Sequence, residues 1–173
     1  MGILICGLNG SGKSTVGKLL AERLSYQFID NEDLYFPKDD PSYPYAHERS
    51  REEVIRLLES MITRNRNYVF AAVRGDYGDK FIASLDRVIL IDVPKPVRLQ
   101  RVRDRSIRKF GERVFTGGDL ADKENAFFSL VSSRPEDYVT EWLQTIDRPV
   151  TRIDGTRPVE ENVDVLLSIL SQK

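Results

Sequence analysis

Near its start the chain reads Gly7-Leu8-Asn9-Gly10-Ser11-Gly12-Lys13-Ser14, a glycine followed by four variable positions and then glycine, lysine and serine. The flanks make this spacing specific. Ile3-Leu4-Ile5-Cys6 is a short apolar run suited to a buried strand, and Thr15 to Leu24 carries a helical apolar period. A glycine-rich loop held between strand and helix can wrap its backbone around an anion, with the unpaired N–H groups of the helix start pointing at phosphate oxygens. Lys13 is placed to reach the β- and γ-phosphates of a nucleoside triphosphate, and the Ser14 hydroxyl to ligate Mg²⁺, a hard cation that takes oxygen ligands. Gly7, Asn9, Gly10, Ser11, Gly12, Lys13, Ser14 and Thr15 are the expected nucleotide contacts. A glycine-rich turn without a ligand is the competing account, and the intact spacing with both flanks argues against it.

Bulk properties narrow the classes open to such a chain. Its 173 residues, 40% hydrophobic and 31% charged, suit one soluble domain with a substantial core. A net charge of −1 gives no global reason to expect nucleic acid or an anionic membrane as partner, so any basic site must be local. Cys6, the single cysteine, reads as a small buried hydrophobe, and with no intrachain disulfide available a reduced, cytoplasmic setting is expected. No apolar run approaches a membrane span, and the N-terminus has no charged-then-apolar leader. One histidine, His47, and no Cys/His cluster argue against a histidine-dependent hydrolase or a zinc site. The oligomeric state is left as monomer or dimer.

Strand-like and helix-like segments alternate, which favours a parallel sheet with helices on both faces. A second strand reads Gln27-Phe28-Ile29 and ends in Asp30. Asn31 to Tyr45, holding Pro37, Pro41 and Pro44, is expected to be a loop facing a substrate. An amphipathic helix follows from about Glu48 to Asn65, a third strand at Tyr68–Val73 and a fourth at Val88–Val93, stopped by Pro94. After Gly117-Gly118 one helix is expected through Phe127, Phe128 and Val131 and another over Tyr138–Leu143. A fifth strand at Val150–Ile153 leads into Asp154-Gly155-Thr156 and a last helix. The expectation is a three-layer α/β/α fold with a five-stranded parallel sheet over residues 1–173. It carries a substrate-binding insertion at about 31–66 and a lid at about 102–133.

Ligands of open parallel sheets bind beyond the carboxyl ends of the strands. Asp30, Glu32 and Asp33 follow strand two, where a carboxylate can orient Mg²⁺ or take the proton of a substrate hydroxyl; turn chemistry is the alternative. Arg74 and Asp76 follow strand three, read either as an anion-holding arginine with a metal-shell carboxylate or as a surface ion pair. Asp92 ends strand four but is read as structural. Arg98, Arg101, Arg103, Arg105, Arg108, Lys109 and Arg113 form the one strongly basic stretch. Arg101 and Arg105 share a helix face and suit a triphosphate, with Arg98 a turn earlier; Gly111, Gly117 and Gly118 would let the segment hinge as a lid. Arg49 and Arg51 would suit an anionic acceptor. Trp142 and the Phe127-Phe128 pair read as core, whereas Tyr35, Phe36, Tyr43 and Tyr45 crowd the proline-rich loop and could stack on a substrate ring.

Taken together, these residues resemble the small P-loop kinase superfamily that includes adenylate, shikimate and gluconate kinases. The resemblance rests on Gly7 to Ser14, Phe28-Ile29-Asp30-Asn31-Glu32, Val88 to Pro94 with Arg101 and Arg105, and Ile153-Asp154-Gly155-Thr156. It implies ATP and Mg²⁺ as cofactors. Shikimate- and gluconate-type kinases end strand two in Asp-x-Asp, the two carboxylates serving Mg²⁺ and the substrate hydroxyl; the resemblance implies these roles for Asp30, a metal candidate, and Glu32, and leaves open which of the two is the base. It also implies a phosphate contact for Arg134 in Arg134-Pro135-Glu136-Asp137, and an adenine-side loop at Gly155. Val73-Arg74-Gly75-Asp76 matches neither the adenylate-kinase nor the shikimate-kinase pattern, so the acceptor stays open.

The expected activity is transfer of the γ-phosphoryl group of ATP to a small metabolite, nucleoside or nucleotide. Lys13, Asp30, Glu32, Arg101 and Arg105 would be catalytic, and Asp30, Glu32, Arg49, Arg74 and Arg134 would hold the acceptor. The alternative is a nucleotide-dependent ATPase or switch acting with RNA or a protein partner.

Overall fold

The apolar run that opens the chain becomes the middle strand of its sheet. The computed structural model describes residues 1–171. In it β1 (Gly2–Cys6), β2 (Gln27–Asp30), β3 (Tyr68–Ala71), β4 (Arg87–Asp92) and β5 (Val150–Asp154) form one sheet in the order β2-β3-β1-β4-β5, with every pair parallel. Side chains of a strand alternate between faces, so a middle strand must be apolar at every position. Leu4 and Cys6 enter one core with Phe70, Tyr68 and Leu90, while Ile3 and Ile5 enter the other with Val69, Ile89 and Ile91.

Helices cover both faces, as expected of a three-layer fold. α1 (Lys13–Leu24) and α8 (Val159–Ser171) close the second core through Val16, Leu20, Val163 and Leu166. On the opposite face lie α2 (Asn31–Tyr35), α3 (Arg51–Arg64), α4 (Asp79–Ala83) and α7 (Tyr138–Leu143), supplying Leu34, Val54, Leu58, Phe81 and Trp142. Trp142 is core, as expected, and its ring abuts Gly75, where a Cβ would come within 2.7 Å of it. α5 (Lys95–Phe110) runs on from β4, and a 3₁₀ turn (Gly111–Val114) joins it to α6 (Ala121–Ser133).

Two expectations are corrected. Asn31 to Tyr45 is not all loop, because its first five residues form α2, whose N-terminus is capped by Asp30; the prolines begin only at Pro37, beyond that turn. Phe127 and Phe128 are only partly buried and belong to neither core. Phe127 lines cavities, and Phe128 carries the Arg103 guanidinium 4.1 Å above its ring. The helix expected from about Glu48 begins at Arg51, where Ser50 and Glu53 make a reciprocal capping box.

β1 connects outward past β3 to β2, while β3 connects past β1 to β4. Adjacent strands whose connections diverge leave a crevice at their carboxyl ends. The phosphate loop sits there, tied by the Gly7 N–H donating to the Val73 carbonyl at 3.3 Å.

Candidate active site

The loop between β1 and α1 is shaped by glycine conformations. Gly10 has φ 82° and lies so close to α5 that a Cβ would sit 2.3 Å from the Arg98 carbonyl oxygen. Gly12, φ 96°, precedes α1 and faces open space, so its backbone can meet a ligand directly. As the first residues of a helix, Lys13, Ser14 and Thr15 have no intrahelical acceptor for their N–H groups, and no side chain caps them. The residues present thus fit a phosphate group: a hollow lined by free donors, at the positive end of the α1 dipole, with an ammonium beside it.

That ammonium is held in an unfavourable place. Lys13 Nζ donates to the Leu8 carbonyl at 3.1 Å. Burial pulls its pKa from 10.5 down to about 8, helped by the positive charges of Arg105 and Arg134 and opposed by Cys6 and Asp30. Beneath it, the Cys6 thiol is pushed up to about 12 by burial, so it remains a neutral hydrophobe. Ser11 Oγ is buried against Gly7 and has no hydrogen-bond partner among the described residues.

Asp30 and Glu32 stand across the crevice. A cavity of about 260 Å³ is shared by Asn9, Gly10, Lys13, Ser14, Asp30, Glu32, Arg105 and the end of β3. Asp30 Oδ1 accepts the Glu32 N–H at 2.9 Å, so turn chemistry and a place at the site are both realised in one carboxylate. Glu32 is surrounded by donors. The Tyr45 hydroxyl donates to its Oε1 at 2.9 Å, and Arg105, Lys38 and Lys109 stand 3.8, 3.9 and 4.0 Å away. Among the described residues no group of three His, Cys, Asp or Glu could hold a metal. Mg²⁺ bound mainly through phosphates needs only one or two protein oxygens, which Ser14 and Asp30 could supply.

The arginines separate into different uses. Arg105 reaches the phosphate-loop cavity together with Lys13, Ser14, Thr15, Arg101 and Arg108. Arg101 is there too, but its guanidinium donates twice at 3.0 Å to the Gly155 carbonyl, clamping the loop after β5 against the phosphate loop. Arg98 does not converge on the hollow: it is buried, donates to Val93 O at 3.0 Å and pairs with both oxygens of Glu136 at 2.9 and 3.0 Å. Arg134 donates to Asn9 Oδ1 and lies 5.1 Å above the Tyr138 ring, beside the loop. Arg74 pairs with Asp76 at 3.0 Å and stacks on Tyr138, while Arg51 reaches Asp76 as well. Arg49 donates to the carbonyls of Asp33 and Leu34 behind α2. Asp92, at the end of β4, pairs with Arg152 at 3.3 Å.

The residues that sequence reasoning did not place at a site are Glu48, Ser106 and Glu124, together with Lys109, which it read only as part of the basic stretch. With Glu32, Phe36, Tyr43, Tyr45, Arg105 and Phe110 they line a further cavity of about 270 Å³ between the proline-rich loop and the α5–α6 segment. Lys109 donates to the Tyr45 hydroxyl at 2.6 Å and sits 4.1 Å from that ring's centre; Tyr43 donates to Glu124 at 3.0 Å and Ser106 donates to it at 2.6 Å. Only the crowding of Tyr35, Phe36, Tyr43 and Tyr45 in the sequence pointed this way.

Sheet order, phosphate loop and strand-two carboxylates together define a P-loop enzyme of the small-molecule kinase superfamily. The AAA domain family matches residues 3–114, and the chain belongs to that family. It is similar to uncharacterized protein YqaC of Bacillus subtilis (strain 168), 27% identical over 177 residues, spanning 98% of this chain and 97% of that one. It is 37% identical over 97 residues to a shikimate kinase of Geobacter sulfurreducens, spanning 56% of this chain and about half, 54%, of that protein. A solved gluconokinase from Sinorhizobium meliloti 1021 shares the fold with a TM-score of 0.54 at 21% identity, covering 99% of this chain and 91% of that one. Among the described residues no helix is long and apolar enough to cross a membrane.

Proposed function

We propose that the protein transfers the γ-phosphoryl group of ATP to a hydroxyl of a small organic acceptor in the cytoplasm. The observation that carries this reading is one continuous set of cavities: Lys13, Ser14, Asp30, Glu32 and Arg105 share the space beyond the phosphate loop, and Glu32 and Arg105 also line a second hollow large enough for an organic molecule. The relatives named as kinases support the same reading. A water-consuming ATPase or switch would have no use for that second hollow.

In the proposed mechanism the backbone N–H groups of residues 12–15 and Lys13 hold the phosphate chain, and Arg101 keeps the Gly155 loop in place beside the base. Bound Mg²⁺ would neutralise β- and γ-oxygens, held by Ser14 and, directly or through water, Asp30. Glu32 accepts the proton of the acceptor hydroxyl as its oxygen attacks the γ-phosphorus and the bond to ADP breaks. Arg105 offsets charge on the transferring oxygens. In this assignment residues 31–66 serve the acceptor and residues 102–133 act as a lid, within one domain.

The test is ATP consumption screened against sugars, hydroxy acids, amino alcohols and nucleosides with the parent and two variants. Lys13→Ala should abolish transfer, and Glu32→Gln should lower it by about 10²- to 10⁴-fold, the usual range for a lost general base, with ATP affinity unchanged. A folded Lys13→Ala variant that still transfers phosphate would overturn the kinase reading.

A further inference from the structure

The hollow beyond Glu32 has two chemically different ends. At the end shared with the phosphate loop stand Glu32 and Arg105, and the Tyr45 hydroxyl is bonded to Glu32. At the other end stands Glu124, which does not reach the cavity holding Lys13 and whose carboxylate accepts from the Tyr43 and Ser106 hydroxyls. Glu124 is 9% exposed, and among the described residues no cation lies within ion-pair distance of it. A buried carboxylate with only neutral donors is expensive, because desolvation of the charge is offset by hydroxyl bonds alone. Glu124 lines the hollow, and Glu48 lines it too.

The walls between the ends are aromatic. Tyr43 and Tyr45 meet edge to face with centroids 5.5 Å apart, and Phe110 stands 5.5 and 6.2 Å from them, with Phe36 5.1 Å from Tyr45. These rings already attract ammonium groups: Lys109 Nζ is 4.1 Å from the Tyr45 centroid and 5.6 Å from Phe110, and Lys123 is 5.0 Å from Tyr43. The electron-rich faces of such rings favour cations. By contrast, Arg49, Arg74 and Arg134, the arginines suited to an anionic acceptor, are engaged elsewhere: Arg49 with backbone carbonyls, Arg74 with Asp76, and Arg134 with Asn9 and Tyr138. The cations that do line this hollow, Arg105 and Lys109, cluster around Glu32.

We infer that the acceptor is a hydroxylated organic amine, bound with its ammonium between Glu124 and the Tyr43 and Tyr45 rings and its reacting hydroxyl at Glu32. A carboxylate at the Glu124 end would meet like charge, because Arg105 and Lys109, the cations lining the hollow, lie beside Glu32. This inference rests on the kinase reading for the hydroxyl end only, since the amine end can be tested without ATP.

The experiment is calorimetric titration of the full chain, in the absence of ATP, with three probe sets matched in carbon skeleton: hydroxylated primary amines such as glucosamine and amino alcohols, the corresponding neutral polyols, and the corresponding hydroxy acids. Amines should bind at least about tenfold tighter than polyols, the scale of one charge-assisted contact, and acids should not bind. Glu124→Gln, which keeps an acceptor for one of the two hydroxyls and turns an N–H donor toward the other, should weaken amine binding by about 10- to 100-fold and leave ATP binding unchanged. Glu48→Gln, an exposed change that the fold tolerates, should weaken it less. Equal or tighter binding of polyols or acids, no binding by any set, or Glu124→Gln and Glu48→Gln both without effect would each overturn the inference. Amines that bind while no compound of any class is phosphorylated would overturn the kinase reading and leave the amine site standing; a phosphorylated hydroxy acid, with amines never phosphorylated, would overturn the amine acceptor and leave the kinase reading standing.

Discussion

Lys13 should make ATP binding fall with rising pH, from a threshold set by the fold. Its pKa in the structure is about 8 because burial disfavours the charged amine. A bound triphosphate favours the ammonium strongly, so binding draws a proton onto Lys13 wherever the free protein has lost it. Near pH 8 that uptake should be about half a proton, read by calorimetry in buffers of different ionisation enthalpy. Below pH 7 the apparent Kd should be flat. Above pH 8 it should rise by about tenfold per pH unit, until Lys13 in the complex also titrates. The same shift affects stability with the opposite sign from an ordinary ion pair. A lysine whose pKa is lowered on folding destabilises the native state fully below about pH 8, and that deficit is relieved between about 8 and 10.5. The full shift corresponds to about 3 kcal/mol, and partial solvent access reduces it to about 1–2 kcal/mol. Lys13→Met should therefore raise the Tm of the ATP-free protein by about 3–6 °C while removing ATP binding. A Kd constant up to pH 10, or a Lys13→Met variant less stable than its parent, would refute the reasoning.

Other outcomes follow from the packing around the loop. Arg98 is 4% exposed in its side chain and Glu136 57%, so the cost of losing the pair should be lopsided. Arg98→Met, which strands the Val93 carbonyl and two charge-assisted bonds, should lower stability by about 2–4 kcal/mol in urea unfolding, and Glu136→Gln by less than about 1; equal losses would contradict this burial argument. Gly10→Ala places a Cβ 2.3 Å from a backbone oxygen at φ 82°. It should weaken ATP binding by at least about tenfold in direct titration, and unchanged affinity would show that loop and α5 can part freely.

The donor half was legible because it uses eight consecutive residues and backbone chemistry, so spacing alone reports it. The middle strands were legible for the same reason, since an apolar run such as Ile3-Leu4-Ile5-Cys6 is local in the sequence. α2 escaped because Pro37, Pro41 and Pro44 dominate their window, although Asp30 two residues before Glu32 is a cap as well as a turn signal. Arg98 was grouped with Arg101 and Arg105 because helical spacing gives angular position on α5 and not which side meets the core. The acceptor half was hidden by distance along the chain: Tyr43 meets Glu124 across 81 positions and Lys109 meets Tyr45 across 64. A Glu and a Lys on exposed-looking helices carry no mark of the partners that tertiary packing brings to them.

Arg105 is where the two halves meet. It lines the phosphate-loop cavity, the crevice with Asp30 and the aromatic hollow, and its guanidinium is 3.8 Å from Glu32 Oε2. At that distance and half exposed, the pair is weak, worth about 0–1 kcal/mol, and easily exchanged. A triphosphate carries more charge than one carboxylate and should draw Arg105 away from Glu32. Releasing that cation leaves the Glu32 carboxylate free to meet the acceptor hydroxyl at the moment the donor is in place. Donor binding would in this way switch on the acceptor half. Arg105→Gln should uncouple the two: ATP affinity should fall by a few-fold and kcat by about 10²-fold or more. If Arg105→Gln changed ATP affinity alone and left kcat intact, Arg105 would be a binding residue only and the coupling would be refuted.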